Sequence, residues 1–320
     1  MKAVVFEAVG EAREVLALRE RPAPALEAGQ GLVAVESSPV HPADFGFVRG
    51  SYRVKPSFPQ VAGLSGAGRV VAVGAGVSLA SGARVAFRWP GAWAELVAVP
   101  VARVFPVPDD IGSDEAAQFV VNPITAWGLL ESARVQPGAW VGLTAASSSV
   151  AKLVAALAGA SGARVVGIAR PASLSELAPE VHAVSESEPE LAERVRAVTA
   201  GEGLSALIDC VGGPLVTSLF PALRQGATIV AYGTLSPEPM VVHNASLVYS
   251  NLIWQGFGID RWSASLTPEQ TSRMTEALWD GIRCGRLPLP IQARFGLADF
   301  SAGLAAAVAG GPGKVIFANT

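Results

Sequence analysis

The sequence predicts an α/β protein in which a doubly wound parallel sheet interrupts a separate β-rich domain. Two observations predict it. Residues 139–170 read as strand, helix, strand: Trp140, Val141 and Leu143 are apolar and β-prone, residues 150–158 are rich in Ala, Leu and Val, and Val165, Val166 and Ile168 repeat the first strand's character. The first hundred residues show instead only short alternating strands punctuated by glycine.

In chain order, residues 1–7 alternate as a strand, as do 31–37. The glycine- and valine-rich stretch 63–77 suggests strongly bent strands with close backbone contacts, and 83–87 and 94–99 are further short strands. Near Ile111 the character changes, with Ser113-Asp114-Glu115 read as a helix cap. Strands and helices then alternate to about residue 258, as a doubly wound sheet requires. A third apolar strand spans 204–210, a helix runs from Pro214 through Leu223, and strands follow at 226–232 and 252–257. After Thr267 come a helix, a strand at 291–295, a short Ala-rich helix and a last strand at 314–317. The expected division is a β-rich domain of 1–118 and 262–320 around a nucleotide-binding domain of 119–261.

With 320 residues, half of them apolar, the chain can bury two cores. A net charge of −3 with scattered arginines carries no electrostatic footprint for nucleic acid or an anionic membrane. Residues 141–160 are apolar but broken by Lys152 and three serines, which suits a buried helix rather than a membrane span. No signal-peptide run follows Met1, so a cytoplasmic location is expected. Cys210 and Cys284 are the only cysteines, too few for a disulfide framework or a four-thiolate zinc site.

A buried βαβ unit of this size is the core of a dinucleotide-binding domain. The residue closing its second strand reads the adenosine ribose, and Arg170 there would pair with a 2′-phosphate, pointing to NADPH. The turn Thr144-Ala145-Ala146-Ser147-Ser148-Ser149-Val150-Ala151 has no glycine, whereas the usual fingerprint needs glycine for close approach to the pyrophosphate. Ser147, Ser148 and Val150 at the helix start either bind phosphate through hydroxyl and amide donors or simply cap the helix.

The segments Val40-His41-Pro42-Ala43-Asp44, Arg49-Gly50 and Gly66-Ala67-Gly68-Arg69-Val70-Val71-Ala72-Val73-Gly74 follow one another as in the medium-chain dehydrogenase/reductase superfamily, which the whole chain resembles. The resemblance implies a GroES-like catalytic domain, a Rossmann cofactor domain and a homodimer formed through the strand at 252–257. Zinc-dependent members carry a cysteine where this chain has His41 and a His-Glu pair where it has Leu64-Ser65, so no metal is expected. Within the zinc-free branch, Gly50-Ser51-Tyr52, Val121-Asn122-Pro123-Ile124-Thr125-Ala126, Asp209-Cys210-Val211-Gly212-Gly213, Tyr232-Gly233-Thr234 and Gly256-Phe257-Gly258 resemble mitochondrial-type 2-enoyl thioester reductases. Departures fall at Ala62-Gly63-Leu64-Ser65-Gly66, at Ser147-Ser148-Ser149-Val150-Ala151 and at Arg170-Pro171-Ala172.

That resemblance implies an NADPH-dependent reduction of a small-molecule or carrier-bound acyl substrate, with Tyr52 as the proton donor. A quinone or enone reductase is the alternative, and a cofactor-binding protein with little catalysis is a third reading. The expected cofactor contacts are His41, Asn122, Ser147, Ser148, Val150, Arg170, Val211, Gly212, Tyr232, Gly233, Thr234, Phe257 and Lys314. Asn122 precedes a proline, which predicts extended backbone with its amide facing a ligand. His41 either hydrogen-bonds cofactor or substrate or is a satisfied structural histidine. Lys314 either reaches cofactor phosphates or is an exposed strand-edge lysine.

Overall fold

The computed structural model describes residues 1–319. Beginning at the N-terminus, β1 (Lys2–Phe6), α1 (Ala12–Val15) and β2 (Ala17–Glu20) precede β3 (Gln30–Pro39), α2 (Pro42–Val48) and β4 (Gln60–Val61). There follow β5 (Gly66–Val73), β6 (Arg84–Phe87), β7 (Leu96–Pro100), β8 (Val104–Pro106) and α3 (Ser113–Phe119). Next come α4 (Asn122–Ala133), β9 (Trp140–Leu143), α5 (Ser149–Ala160), β10 (Arg164–Ala169), β11 (Val181–Ser185), α6 (Leu191–Val198) and β12 (Leu204–Asp209). The chain continues with α7 (Gly213–Leu219), β13 (Leu223–Ala231), α8 (Asn244–Ser250), β14 (Ile253–Gly256), α9 (Ile259–Ser263) and α10 (Pro268–Arg283), and closes with β15 (Ile291–Phe295), α11 (Phe300–Ala309) and β16 (Lys314–Ala318).

Two compact units result: Met1–Val121 with the stretch from Pro288 onward, and Asn122–Leu287. The second takes in residues 262–287, which the sequence reading assigned to the β-rich domain. The reason is α10, which buries Met274, Leu278 and Trp279 and packs on α4.

In the β-rich unit, β15, β16, β3, β5, β6 and β8 form one sheet in that order, with β7 also pairing with β3. A smaller sheet joins β2, β1 and β4. Under α2 the core is aromatic: Phe6 meets Phe47 edge-on at 5.6 Å and Trp93 meets Phe317 edge-on at 5.0 Å, geometries that aromatic quadrupoles favour. Two glycines permit close approaches in this unit, one between β3 and β5 and one at the aromatic core. A Cβ on Gly68 would lie 1.9 Å from the Ala34 carbonyl oxygen, and Gly63, at φ +83°, lies against the Trp93 indole.

The second unit is an all-parallel sheet in the order β11-β10-β9-β12-β13-β14. In chain order this is 3-2-1-4-5-6, the doubly wound arrangement whose strand order reverses between the first and fourth strands. Those strands are β9 and β12. Both are buried along their length apart from Ser205, as expected for a sheet covered on both faces.

Several elements differ from the sequence reading. The third strand of this sheet is β11, not the run at 204–210. Only Val181 and Val184 of β11 are buried, so its edge position leaves no apolar run to detect. The helix expected to run through Leu223 ends at Leu219, because Leu223 opens β13. Ser113 is the first residue of α3 rather than its cap, and its hydroxyl donates to Glu36 at 2.5 Å. Among the described residues, no helix is long and apolar enough to cross a membrane.

Candidate active site

In the parallel-sheet unit the candidate residues gather at the C-terminal ends of the strands, around a buried carboxylate. Asp209 closes β12 and accepts the Thr144 hydroxyl at 2.6 Å and the amides of Val211 and Gly212, each at 3.0 Å. The Thr144 hydroxyl oxygen in turn accepts the Cys210 amide at 3.1 Å. Burial pushes the Asp209 carboxyl above the usual range, and these donors oppose the shift. The bonds join the turn after β9 to the turn after β12, where the strand order reverses and open α/β sheets bind their ligands.

The glycine-free turn is held by backbone. The Thr144 amide donates to Ile208 at 3.2 Å, the Ala146 amide to Ile168 at 3.0 Å and the Ser148 amide to Ala145 at 2.9 Å. Ala145 itself takes φ 43°, a left-handed conformation that costs a non-glycine residue roughly 1–2 kcal/mol. The close approach that glycine would permit has moved into the next strand: a Cβ on Gly167 would lie 3.0 Å from the Ala146 Cβ. Ser148 then caps α5, its hydroxyl oxygen accepting the Ala151 amide at 3.3 Å. Ser147 and Val150, half-buried, flank that cap.

Tyr232, Gly233 and Thr234 follow β13. Burial raises the Tyr232 phenol well above its ordinary value, with Cys210 and Ser148 beside it. Burial likewise pushes the Cys210 thiol up. A Cβ on Gly233 would lie 2.5 Å from the Cys210 carbonyl oxygen. Phe257, just past β14, donates its amide to Ala231 at 2.8 Å and sets its ring 5.8 Å from Trp262. Arg170, exposed at the end of β10, has no acidic partner among the described residues, whereas nearby Lys152 pairs with Glu176 at 3.4 Å.

Asn122 corrects an expectation. It opens α4 rather than standing extended, because Pro123 falls in the first helical turn, where no N–H is needed. Its side chain is 3% exposed and its Nδ2 has no protein partner. A buried donor left without one costs about 1–3 kcal/mol, so the group calls for an acceptor from outside the chain, water or ligand.

The β-rich unit holds a second buried carboxylate. Asp44, 0% exposed, accepts the His41 amide at 2.7 Å and the Leu64 amide at 2.9 Å. Burial pushes it up to about 7, opposed by those amides and by the charge of Lys314. Lys314 opens β16 and is lowered by its own burial, against the pull of Asp44; it is not the exposed edge lysine of one sequence reading. His41 is the N-cap of α2 and is 4% exposed, and its Nε2 lacks a partner. His41 and Lys314 share the wall of a cavity of about 340 Å³ with Phe45, Arg49 and Gln292.

Tyr52 hangs from the C-terminal end of α2, its amide donating to Gly46 at 3.0 Å. Its half-buried ring packs on the aromatic core, with the Arg53 guanidinium 5.4 Å from the ring centroid. Arg88, close by, is pushed down to about 10 by burial and then by the charges of Arg103 and Arg53.

Two family models match the chain: the alcohol dehydrogenase GroES-like domain over residues 27–109 and the zinc-binding dehydrogenase over residues 149–276. The chain is 30% identical over 270 residues to the mitochondrial enoyl-acyl-carrier-protein reductase of Caenorhabditis elegans, spanning 81% of this chain and 78% of the relative. With the human mitochondrial enzyme of the same name it shares 29% over 320 residues, 96% of this chain and 86% of the relative. A Bacillus thuringiensis protein described as an NADPH:quinone reductase superposes with a TM-score of 0.91 at 26% identity, covering 100% of this chain and 99% of that one. The chain belongs to the medium-chain dehydrogenase/reductase superfamily.

Its relatives fall in the zinc-independent branch of that superfamily. At the positions where zinc-dependent members place ligands, the Leu64 amide serves Asp44 and the Ser65 carbonyl accepts the Ser38 hydroxyl at 2.7 Å. Among the described residues, no group of three or more His, Cys, Asp or Glu could hold a metal ion. Thr144, Asp209 and Cys210 organise the superfamily's cofactor-side turns here, yet sequence reasoning did not single them out as site residues. Their signals were that Thr144 opens the turn after an apolar strand and that Asp209-Cys210 open a motif of the resembled family.

The elevated Asp44 carboxyl has a consequence for stability. An unfolded aspartate titrates near 4, so between there and about 7 the folded chain binds the extra proton and stability falls as pH rises. The contribution is complete below that window and lost above it. Asp44→Asn cannot ionise, so the stability of the natural protein relative to this variant should fall by roughly 2–4 kcal/mol from acid to neutral pH. Urea unfolding across that range measures it, and parallel profiles for the two proteins would contradict the assignment.

Proposed function

We propose that this protein is an NADPH-dependent reductase of activated carbon–carbon double bonds, with 2-enoyl thioesters on CoA or acyl carrier protein as its substrate class. The observation that carries the thioester reading is Tyr52, fixed to the end of α2 beside Arg53 and Arg88. The residues present suit the cofactor. Ser148 and the start of α5 offer donors for phosphate, Asn122 Nδ2 is a buried donor in want of an acceptor, and Arg170 is available for a 2′-phosphate.

When bound, the nicotinamide supplies hydride. The chain's own residues then have two tasks. Ser148, Asn122 and Arg170 hold and orient the cofactor, with Ser147, Val150, Val211, Gly212, Tyr232, Gly233, Thr234, Phe257 and Lys314 as the remaining proposed contacts. The Val211 and Gly212 amides are already engaged by Asp209, which leaves side-chain and steric contact as their part. Tyr52 delivers the proton to the α-carbon after hydride has reached the β-carbon.

Cofactor choice is tested at Arg170. Charge-assisted hydrogen bonds to a 2′-phosphate are worth roughly 1.5–3 kcal/mol. Arg170→Ala should therefore weaken NADPH by about ten- to a hundredfold and leave NADH nearly unchanged in fluorescence titrations. Equal losses for the two cofactors would refute the assignment.

The substrate class is tested at Tyr52. A positioned general acid contributes about 10²–10⁴-fold, so Tyr52→Phe should lower turnover of crotonyl-CoA by that order with NADPH affinity little changed. The quinone reading is supported by the Bacillus thuringiensis neighbour. A quinone can take its proton from water, so the same variant should keep its rate with a simple quinone. An unchanged thioester rate would rule out Tyr52 as the acid and put the quinone reading ahead.

We also propose a homodimer through the edge strand β14. Ile253 on that strand and Val248 and Tyr249 on the preceding helix are exposed apolar groups, a patch of the kind that marks an association surface. Sedimentation velocity should give a dimer that Ile253→Lys converts to monomer. A monomeric natural protein would end the proposal.

A further inference from the structure

The sequence reading leaves His41 as a partner of cofactor, of substrate, or of neither. Its Nε2 is buried without a partner, and the ring shares a cavity wall with Lys314. The rest of the residue is tightly specified. The start of α2 is closed reciprocally: the Asp44 carboxylate accepts the His41 amide at 2.7 Å and the His41 carbonyl accepts the Asp44 amide at 3.0 Å. A neutral imidazole carries one proton, and with that proton on Nε2 the buried, unpartnered nitrogen is an N–H donor. Burial, and next the charge of Lys314, hold the ring well below its ordinary pKa, which keeps it neutral.

We infer that His41 is the oxyanion donor of the reduction, its Nε2–H hydrogen-bonding the carbonyl oxygen of the substrate with the Lys314 ammonium as flanking positive charge. The inference rests on the reductase reading given above. Hydride adds to the β-carbon with its two electrons, and the carbon–carbon π pair moves so that negative charge gathers on the carbonyl oxygen of an enolate. His41 and Lys314 stabilise that charge. The enolate then collapses, taking a proton at the α-carbon from Tyr52, and the phenolate regains its proton from water. Donors aimed at a developing oxyanion in a water-poor site act on the transition state more than on the bound substrate. A neutral imidazole suits the task, since it donates a hydrogen bond without surrendering its proton.

The test compares His41→Leu, which removes the donor, with His41→Asn, which keeps a short N–H donor, on crotonyl-CoA and NADPH. Losing one such donor typically lowers kcat by about 10²–10³. His41→Leu should show that loss with NADPH affinity within about twofold, and His41→Asn should recover part of it. As a spectroscopic readout, cinnamoyl-CoA bound with NADP⁺ should absorb to the red of the free thioester, because its carbonyl is polarised, and His41→Leu should abolish the shift. An unchanged kcat would make His41 a structural cap. NADPH affinity falling in step with kcat, with the red shift intact, would make it a cofactor contact instead. Either result overturns the inference. Thioester reduction absent from the natural protein would remove the enoyl reading itself, and the inference with it.

Discussion

The parallel-sheet unit depends on the bond between Thr144 and Asp209. Strand order reverses between β9 and β12, so their C-terminal turns diverge and leave the crevice in which such sheets bind ligands. Diverging turns expose amides that need partners. Asp209 accepts from Thr144, Val211 and Gly212, and Thr144 accepts from Cys210. The crevice is thereby held at a set width by groups buried beneath it.

The β-rich unit solves a similar problem with Asp44. A fully buried carboxylate is costly unless it is hydrogen-bonded or protonated, and here two amides and the nearby Lys314 share the task. In return three segments distant in sequence are joined: the start of α2, the turn before β5 and the start of β16. The superfamily's zinc-dependent members use this neighbourhood for metal ligands. In this chain the same backbone positions are closed by hydrogen bonds.

The glycine-free phosphate turn shows that a motif can move without the constraint behind it disappearing. The turn still needs a left-handed residue and a close approach to the neighbouring strand. Ala145 accepts the strained dihedral, and Gly167 in β10 provides the space. Backbone bonds to Ile168 and Ile208 offset the strain. A fingerprint search looks for glycine in the turn, whereas the steric requirement concerns any pair of atoms that must meet there.

Much of the fold was legible in local sequence. Apolar runs marked β9, β10, β12 and β13, because a strand buried on both faces can hold little else. Arg170 was placed at the end of its strand, and Ser148 at the start of its helix, by adjacency along the chain. What escaped were elements whose burial is partial, such as β11 with two buried positions, and α2, hidden in a motif read for its side chains. Asn122 was misread because the rule for residues before proline describes an unconstrained chain, while packing of α4 admits a proline in the first turn. The Thr144–Asp209 and Asp44–Leu64 bonds lay beyond sequence altogether. Local side-chain pattern determines which segments become strands and helices. Only the tertiary structure decides which buried polar groups meet, because each partner is supplied by a segment remote along the chain and burial makes an unmet donor or acceptor costly.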